Sequence, residues 1–290
     1  MPTLGEVTRQ ATQLLTANTD SARLDAELLI AQVLNIPRSR FITDPDRALD
    51  AQQVHQIQTL LARRAQGEPV AYLLGRKHFW DLELKVTPDV LIPRPETELL
   101  VETALSLFAA DAAIAVLDLG TGSGAIAVAI AKARPHWHVC ASDESKAAVA
   151  VAMENAEHYQ LHNLTLVQSH WFDNLVADKH YNLILSNPPY IPANDPHLQQ
   201  GDVRFEPQQA LVSGDDGLDA IRYLVAESQP HLLPDGWLML EHGYDQGEPV
   251  QHLFNEQGYR DVQQKKDLNG HVRITLGKRQ ATSHRKTNII

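Results

Sequence analysis

The chain has 290 residues, 43% of them apolar and 21% charged, the balance of a globular protein long enough for two cores. A formal charge of −11 argues against affinity built on gripping nucleic-acid phosphates, and no apolar run reaches the roughly eighteen residues a membrane helix needs. A single cysteine excludes an internal disulfide.

The opening Met1-Pro2-Thr3-Leu4-Gly5-Glu6 has no basic segment followed by an apolar one, so no signal peptide is expected and the expected compartment is the cytoplasm. Val7, Ala11, Leu14 and Leu15 recur at helical spacing. Ser21 is a candidate N-cap for a second helix with Leu24, Leu28 and Val33 on one face. After Pro37 and Pro45, Ala51 to Ala65 reads as a helix with Val54, Ile57, Leu60 and Leu61 inward. Asp25 and Glu27 read as solvated or capping charges, with a functional role as the alternative. Residues 1–67 thus form a small helical bundle.

Composition changes at Gly67-Glu68-Pro69. Tyr72, Leu73, Leu74, His78, Phe79, Trp80, Leu82, Leu84 and Val86, broken by Gly75 and Asp81, suit a β-hairpin linker over 68–95. It closes on Leu91-Ile92-Pro93-Arg94-Pro95-Glu96-Thr97-Glu98. Pro95 and the glutamates suit the first turn of a helix, and the two prolines around Arg94 suit a stiff pocket wall.

From there strands and helices alternate, which predicts a mostly parallel sheet covered on both faces. Strands are expected at Ala113–Leu119, His138–Ser142, Leu164–Gln168, Tyr181–Ser186, Trp237–Glu241, Tyr259–Gln263 and His271–Leu276, the last two as an antiparallel hairpin. Helices are expected near 97–109, 124–133, 145–159, 217–229 and 246–257. The tail 279–290 is polar and is expected to be disordered. Cys140 reads as a buried small hydrophobe, and the fourteen histidines show no metal-ligand spacing, so no metal is expected.

The first strand of this region runs into Asp118-Leu119-Gly120-Thr121-Gly122-Ser123-Gly124. Alternate glycines let backbone approach a ligand, and the next helix turns its N–H groups toward an anion. The spacing is G-x-G-x-G, unlike a dinucleotide fingerprint, and no Lys-Ser/Thr pair makes a phosphate loop. An acid beside the glycines suits the carboxylate and ammonium of an amino acid better than a pyrophosphate. Asp143, at the end of the next strand, stands where a carboxylate accepts two ribose hydroxyls. Trp171, after the third strand, is a candidate cover for an adenine face, a core aromatic being the alternative.

The fourth strand ends in Ser186-Asn187-Pro188-Pro189-Tyr190. The prolines remove two backbone donors, so the carbonyls of Asn187 and Pro188 are free to face outward beside the Asn187 amide and a flat ring. That set can grip a planar NH2 group; a Pro-rich turn is the plainer reading. Strand ends of one sheet share an edge, so these groups converge on one ligand, S-adenosylmethionine, held against an amine.

With these motifs the chain resembles the glutamine methyltransferases of peptide-chain release factors, the HemK/PrmC family, to about residue 278. The likeness rests on Glu68 to Gly75, Leu91 to Glu98, Asp118 to Gly124 and Asn187 to Tyr190, with echoes in Phe205-Glu206-Pro207, Gly214-Asp215-Asp216-Gly217-Leu218 and Asp267 to Arg273. It implies a class I methyltransferase fold over 96–278 behind a docking domain at 1–67. It implies cofactor contacts at Gly120, Thr121, Gly122, Ser123, Gly124, Asp143, Trp171 and Asn187, with S-adenosylhomocysteine as product. Asn187, Pro188, Pro189 and Tyr190 would hold the substrate amide, with Asn187, Pro188 and Tyr190 catalytic. The implied substrate is the glutamine of the release factor's Gly-Gly-Gln loop, with no direct nucleic-acid or membrane partner. Asn-Pro-Pro-Tyr alone is shared with adenine methyltransferases of DNA; a ribosomal-protein glutamine and a nicotinamide oxidoreductase are further alternatives.

Overall fold

The computed structural model describes residues 1–176 and 179–280; most of the tail expected to be disordered, 281–290, lies outside the described residues. The chain divides into two compact units, Met1–Lys77 with Pro196–Phe205, and His78–Asp195 with the chain from Glu206 onward.

The first unit is helical: α1 (Leu4–Leu15), α2 (Ala22–Leu34), the single turn α3 (Arg40–Thr43), α4 (Ala51–Ala65) and α5 (Val70–Leu74). Reciprocal capping boxes start α1, between Thr3 and Glu6, and α4, between Asp50 and Gln53. Val7, Ala11 and Leu15 face the core, but Leu14 is exposed. Ser21 precedes α2 yet caps no backbone N–H; its hydroxyl donates to Asp25 at 2.7 Å. The face expected inward also differs. Leu24 is exposed, while Ala26, Leu29 and Ile30 are buried together with Asp25 and Glu27. Those two carboxylates are not solvated: Asp25 accepts from Arg64 at 2.8 Å, and Glu27 accepts from Arg23 and Arg38 at 2.9 and 2.6 Å. Arginines elsewhere in the chain let them go inside.

Val70–Leu74, expected within a hairpin, is helical and closes on Gly75 in the left-handed region. The hairpin is confined to β1 (Arg76–Phe79) and β2 (Leu82–Lys85). After a 3-10 turn at Pro95–Thr97, the second unit alternates α6 (Glu98–Leu107), β3 (Ala115–Leu119), α7 (Ala125–Ala133), β4 (His138–Asp143), α8 (Lys146–His158), β5 (Leu164–Gln168) and β6 (Tyr181–Ser186). It ends with α9 (Asp219–Glu227), β7 (Leu232–Glu241), α10 (Gly247–Glu256), β8 (Arg260–Lys266) and β9 (Val272–Lys278).

The sheet order is β5-β4-β3-β6-β7-β9-β8, parallel except for β9, which runs antiparallel to both neighbours. Alternation along the strands splits the core into two layers. Val116, Val139, Leu183 and Met239 pack with α6 and α7; Leu117, Cys140, Ile184 and Leu238 pack with α9 and α10. The chain leaves β3 toward β4 and β5, then returns to add β6 on β3's other side. That reversal opens a crevice beyond the strand ends, where open α/β sheets bind ligands.

Candidate active site

One cavity lies at this switch point, lined by Gly120 and Gly122 after β3, Asp143 ending β4, Trp171 after β5, and Asn187 and Pro189 after β6. Five of the expected cofactor and substrate positions therefore meet from four strands, with Pro189 as a sixth. Thr121, Ser123, Gly124, Pro188 and Tyr190 do not line it.

The loop geometry explains that division. Gly120, Gly122 and Gly124 have φ of 70°, 56° and 82°, the left-handed region that side chains disfavour. Thr121 and Ser123 alternate inward and are buried. The Thr121 hydroxyl donates to Asp118 at 2.6 Å, and the Thr121 N–H is held by Ser142 at 2.9 Å. Asp118 is itself buried beneath the loop rather than open to the cavity, so it shapes the loop instead of meeting a ligand's ammonium. Burial pushes its carboxyl up to about 7 against the Thr121 bond. Gly124 serves packing, since a Cβ there would lie 3.1 Å from the Cβ of Ala152.

Asp143 accepts from the Gly122 N–H at 2.8 Å and from the Ser145 N–H at 2.9 Å. Each carboxylate oxygen is thereby fixed with lone pairs to spare. Burial still outweighs these bonds and raises its pKa. Trp171 has φ 47°, a strained conformation for a bulky residue, and a Cβ on Gly120 would lie 3.7 Å from its ring. The Ser169 hydroxyl, donating to the Trp171 carbonyl at 3.0 Å, helps hold that turn.

Asn187 turns its Nδ2 to the Thr97 hydroxyl, donating at 3.2 Å. Tyr190 packs against the sheet, its carbonyl accepting from Gln246 at 3.0 Å, and burial pushes its phenol up.

Residues outside the expected set complete the walls. Asp89, Val90 and Leu91 form one side and Pro207, Gln209 and Ala210 another. Glu206 joins them: it accepts from the Ile92 N–H at 3.1 Å and pairs with Arg94. The arginine between two prolines thus braces a wall through a buried carboxylate. The Phe205-Glu206-Pro207 echo was the only sequence signal for that partner. No group of three or more metal-ligating side chains occurs among the described residues.

Two family models match the chain, "PrmC N-terminal domain" over residues 6–75 and "Methyltransferase small domain" over residues 95–202. The chain is 53% identical over 257 residues to the release factor glutamine methyltransferase of Pseudomonas aeruginosa, spanning 89% of this chain and 92% of that one. The protein of the same name from Coxiella burnetii is 44% identical over 279 residues, 96% of this chain and 100% of its own. A solved methyltransferase from Pyrococcus furiosus, 18% identical, shares the fold with a TM-score of 0.53 over 77% of this chain and 99% of that one. The resemblance carried by the motifs is therefore borne out along almost the whole length: the chain belongs to the release factor glutamine methyltransferase family.

Proposed function

We propose that this protein transfers a methyl group from S-adenosylmethionine to the side-chain amide nitrogen of the glutamine in the Gly-Gly-Gln loop of a peptide-chain release factor, in the cytoplasm. The observation that carries the reading is a single cavity walled on one side by Gly120, Gly122 and Asp143 and on another by Asn187 and Pro189. Residues 1–67 serve as the docking domain for the protein substrate, 68–95 as linker and 96–278 as the catalytic domain.

The cavity suits the cofactor. Asp143 offers spare lone pairs to a pair of ribose hydroxyls, the two glycines leave room for backbone approach, and Trp171 with Val90 and Leu91 supplies an apolar wall. Ser123 and Thr121 shape the loop from beneath, and Gly124 seats it on α8. When bound, S-adenosylmethionine supplies an electrophilic methyl carbon on a sulfonium.

A carboxamide nitrogen is a poor nucleophile because its lone pair is delocalised into the carbonyl. Asn187 Oδ1, at the end of the amide opposite the Thr97 bond, and the Pro188 carbonyl accept the two N–H bonds of the glutamine. Both acceptors are neutral and fixed, so they stabilise positive charge as it develops on nitrogen. Pro189 and Tyr190 restrict the amide's approach, and holding two reactants in line supplies much of the acceleration. The cationic product gives its proton to water, so no strong base is needed beforehand.

The test uses methyl-labelled S-adenosylmethionine with intact release factor, the same factor with its glutamine replaced, and DNA. Label on the intact factor alone is expected; label on DNA would overturn the reading. Asn187→Ala and Asn187→Asp should each lower kcat by about a hundredfold, the loss typical for one preorganised polar contact. Near wild-type turnover in either would sink the acceptor role.

A further inference from the structure

Asn187-Pro188-Pro189-Tyr190 crosses the site with two residues that have no N–H to anchor it. Its direction is therefore set at its ends. Upstream, Ser186 is laddered to Leu119 of β3 and Leu240 of β7, and its hydroxyl donates to the Leu119 carbonyl at 2.6 Å. Downstream, the chain is held at Ile191 and Tyr190. The Ile191 N–H donates to the Leu211 carbonyl at 2.8 Å, and the Ile191 carbonyl accepts from the Ser213 N–H at 3.0 Å. The Tyr190 carbonyl accepts from the side chain of Gln246, the residue before α10.

Gln246 is buried, and its amide is committed to backbone. Its Oε1 accepts from the Gly243 N–H at 2.8 Å, while its Nε2 donates to the Tyr190 carbonyl at 3.0 Å and to the Asp216 carbonyl at 3.4 Å. One N–H and two carbonyls admit a single orientation of the amide. A flip would set its oxygen against two acceptors and its nitrogen against a donor. The turn carrying Asp216 comes this close because the next residue is a glycine. A Cβ on Gly217, whose φ is 78°, would lie 2.3 Å from the Tyr190 oxygen and 2.8 Å from Gln246 Nε2. Three segments distant in sequence thus meet at one carbonyl, and Gly214-Asp215-Asp216-Gly217-Leu218, which the cavity leaves unused, is one of them.

We propose that Gln246 is a positioning residue: by holding the Tyr190 carbonyl it fixes the downstream end of the tetrapeptide, and so aims the Pro188 carbonyl at the substrate N–H. The catalytic consequence rests on the function proposed above; the clamp on Tyr190 does not. Neither Gln246 nor Tyr190 lines the cavity, so the clamp acts on the aim of the acceptor and not on cofactor affinity.

The experiment compares Gln246→Glu with Gln246→Met, each checked for folding by circular dichroism. Ionised glutamate keeps an oxygen for the Gly243 N–H but turns an acceptor toward two carbonyls. Methionine keeps the length and removes both functions. Tyr190-Ile191 is the chain's one Tyr-Ile pair, so carbon-13 in tyrosine carbonyls with nitrogen-15 in isoleucine singles out that peptide bond. In both variants the Tyr190 carbonyl carbon should move upfield, as a carbonyl does on losing a donor. On release factor, kcat should fall about ten- to a hundredfold with little change in KM for S-adenosylmethionine. Near wild-type kcat in Gln246→Glu would assign the amide to the Gly243 turn and overturn the proposal. An unmoved carbonyl resonance, or a loss confined to KM, would overturn it as well. Should Gln246→Met fail to fold, Gln246→Glu decides alone, since it preserves the Gly243 bond. The resonance needs no substrate, so a release factor that takes no methyl would refute the proposed function without touching the clamp.

Discussion

Asp118 illustrates how much of the site is supported from below. It is 1% exposed, and burial, helped by Asp143, holds its carboxyl near 7 despite the Thr121 hydroxyl. The folded state therefore keeps a proton that the unfolded chain has released between about pH 4 and 7. Stability from this group is full below the unfolded value and is lost as pH rises through about 7. Asp118→Asn, which keeps an acceptor for Thr121, should flatten the fall in unfolding free energy between those limits, measured by urea titration at a series of pH values. An undiminished slope would assign the dependence to Glu241, shifted in the same direction. Gly122 poses the opposite case. A Cβ there meets no atom within 4 Å, so a larger side chain would occupy the cavity itself. Gly122→Val should abolish S-adenosylmethionine binding in calorimetry, although its φ of 56° also makes the variant strained. Undiminished affinity would remove the glycine loop from the cofactor site. Gly122, Asp143 and Asn187 were legible in the sequence because each sits at the end of an apolar strand, where chemistry is exposed on a shared edge. Asp89, Gln209 and Ala210 were not, since they join the cavity from segments distant in sequence, and nothing local marks that.

Among elements, α8 does more than cover the sheet. Its Asn155, 2% exposed, accepts from the Lys85 N–H at 2.7 Å and donates to the Lys85 and Ser123 carbonyls at 3.0 and 2.8 Å. One amide thus ties β2 and the glycine loop to the same helix. Tyr159 repeats the device one turn on, accepting from the Glu83 N–H at 2.7 Å and donating to its carbonyl at 3.1 Å. Asn155→Ala removes three hydrogen bonds to backbone, a buried one to Ser123 and two part-buried ones to Lys85, and should cost about 3 kcal/mol in denaturant unfolding. It should also raise KM for S-adenosylmethionine, because the loop loses its anchor. A loss of stability with unchanged KM would mean that the loop is held elsewhere. The sheet strands were readable because their apolar runs are bounded by Gly, Pro and Asp. Two departures have physical causes. Val70–Leu74 is too short for its period to distinguish helix from strand, and packing decides for helix. Strand β7 begins at Leu232 and not Trp237, running through Pro234-Asp235-Gly236, a tripeptide that reads as a turn. It does so with Asp235 at φ 61° and an irregular register against Tyr181 and Leu183.

At the scale of the whole chain, the first unit is not one continuous stretch: Pro196–Phe205 belongs to it, although the neighbouring residues on both sides belong to the other unit. Arg64 is the residue that recruits the insertion. It is 7% exposed; its Nε donates to Asp25 at 2.8 Å, and its Nη1 donates to Asp202 at 2.9 Å and the Glu68 carbonyl at 3.1 Å. Hydrogen bonds to the two carboxylates outweigh burial and raise the guanidinium's pKa. A planar fork with five donors can serve this many acceptors at once, and lysine could not. Arg64→Met keeps much of the volume but leaves the Asp25 carboxylate buried without its cation, while Asp202, which is more exposed, can turn to water. Breaking such a pair costs about 3–5 kcal/mol, so the first unit should unfold at distinctly lower denaturant. The insertion, losing its tether, should become the first site of proteolytic cleavage. Asp25→Asn in the Arg64→Met background should recover part of the loss, because it removes the orphaned charge. If the double variant is instead no more stable than Arg64→Met alone, the cost lies in packing around the guanidinium stem and not in the unpaired carboxylate.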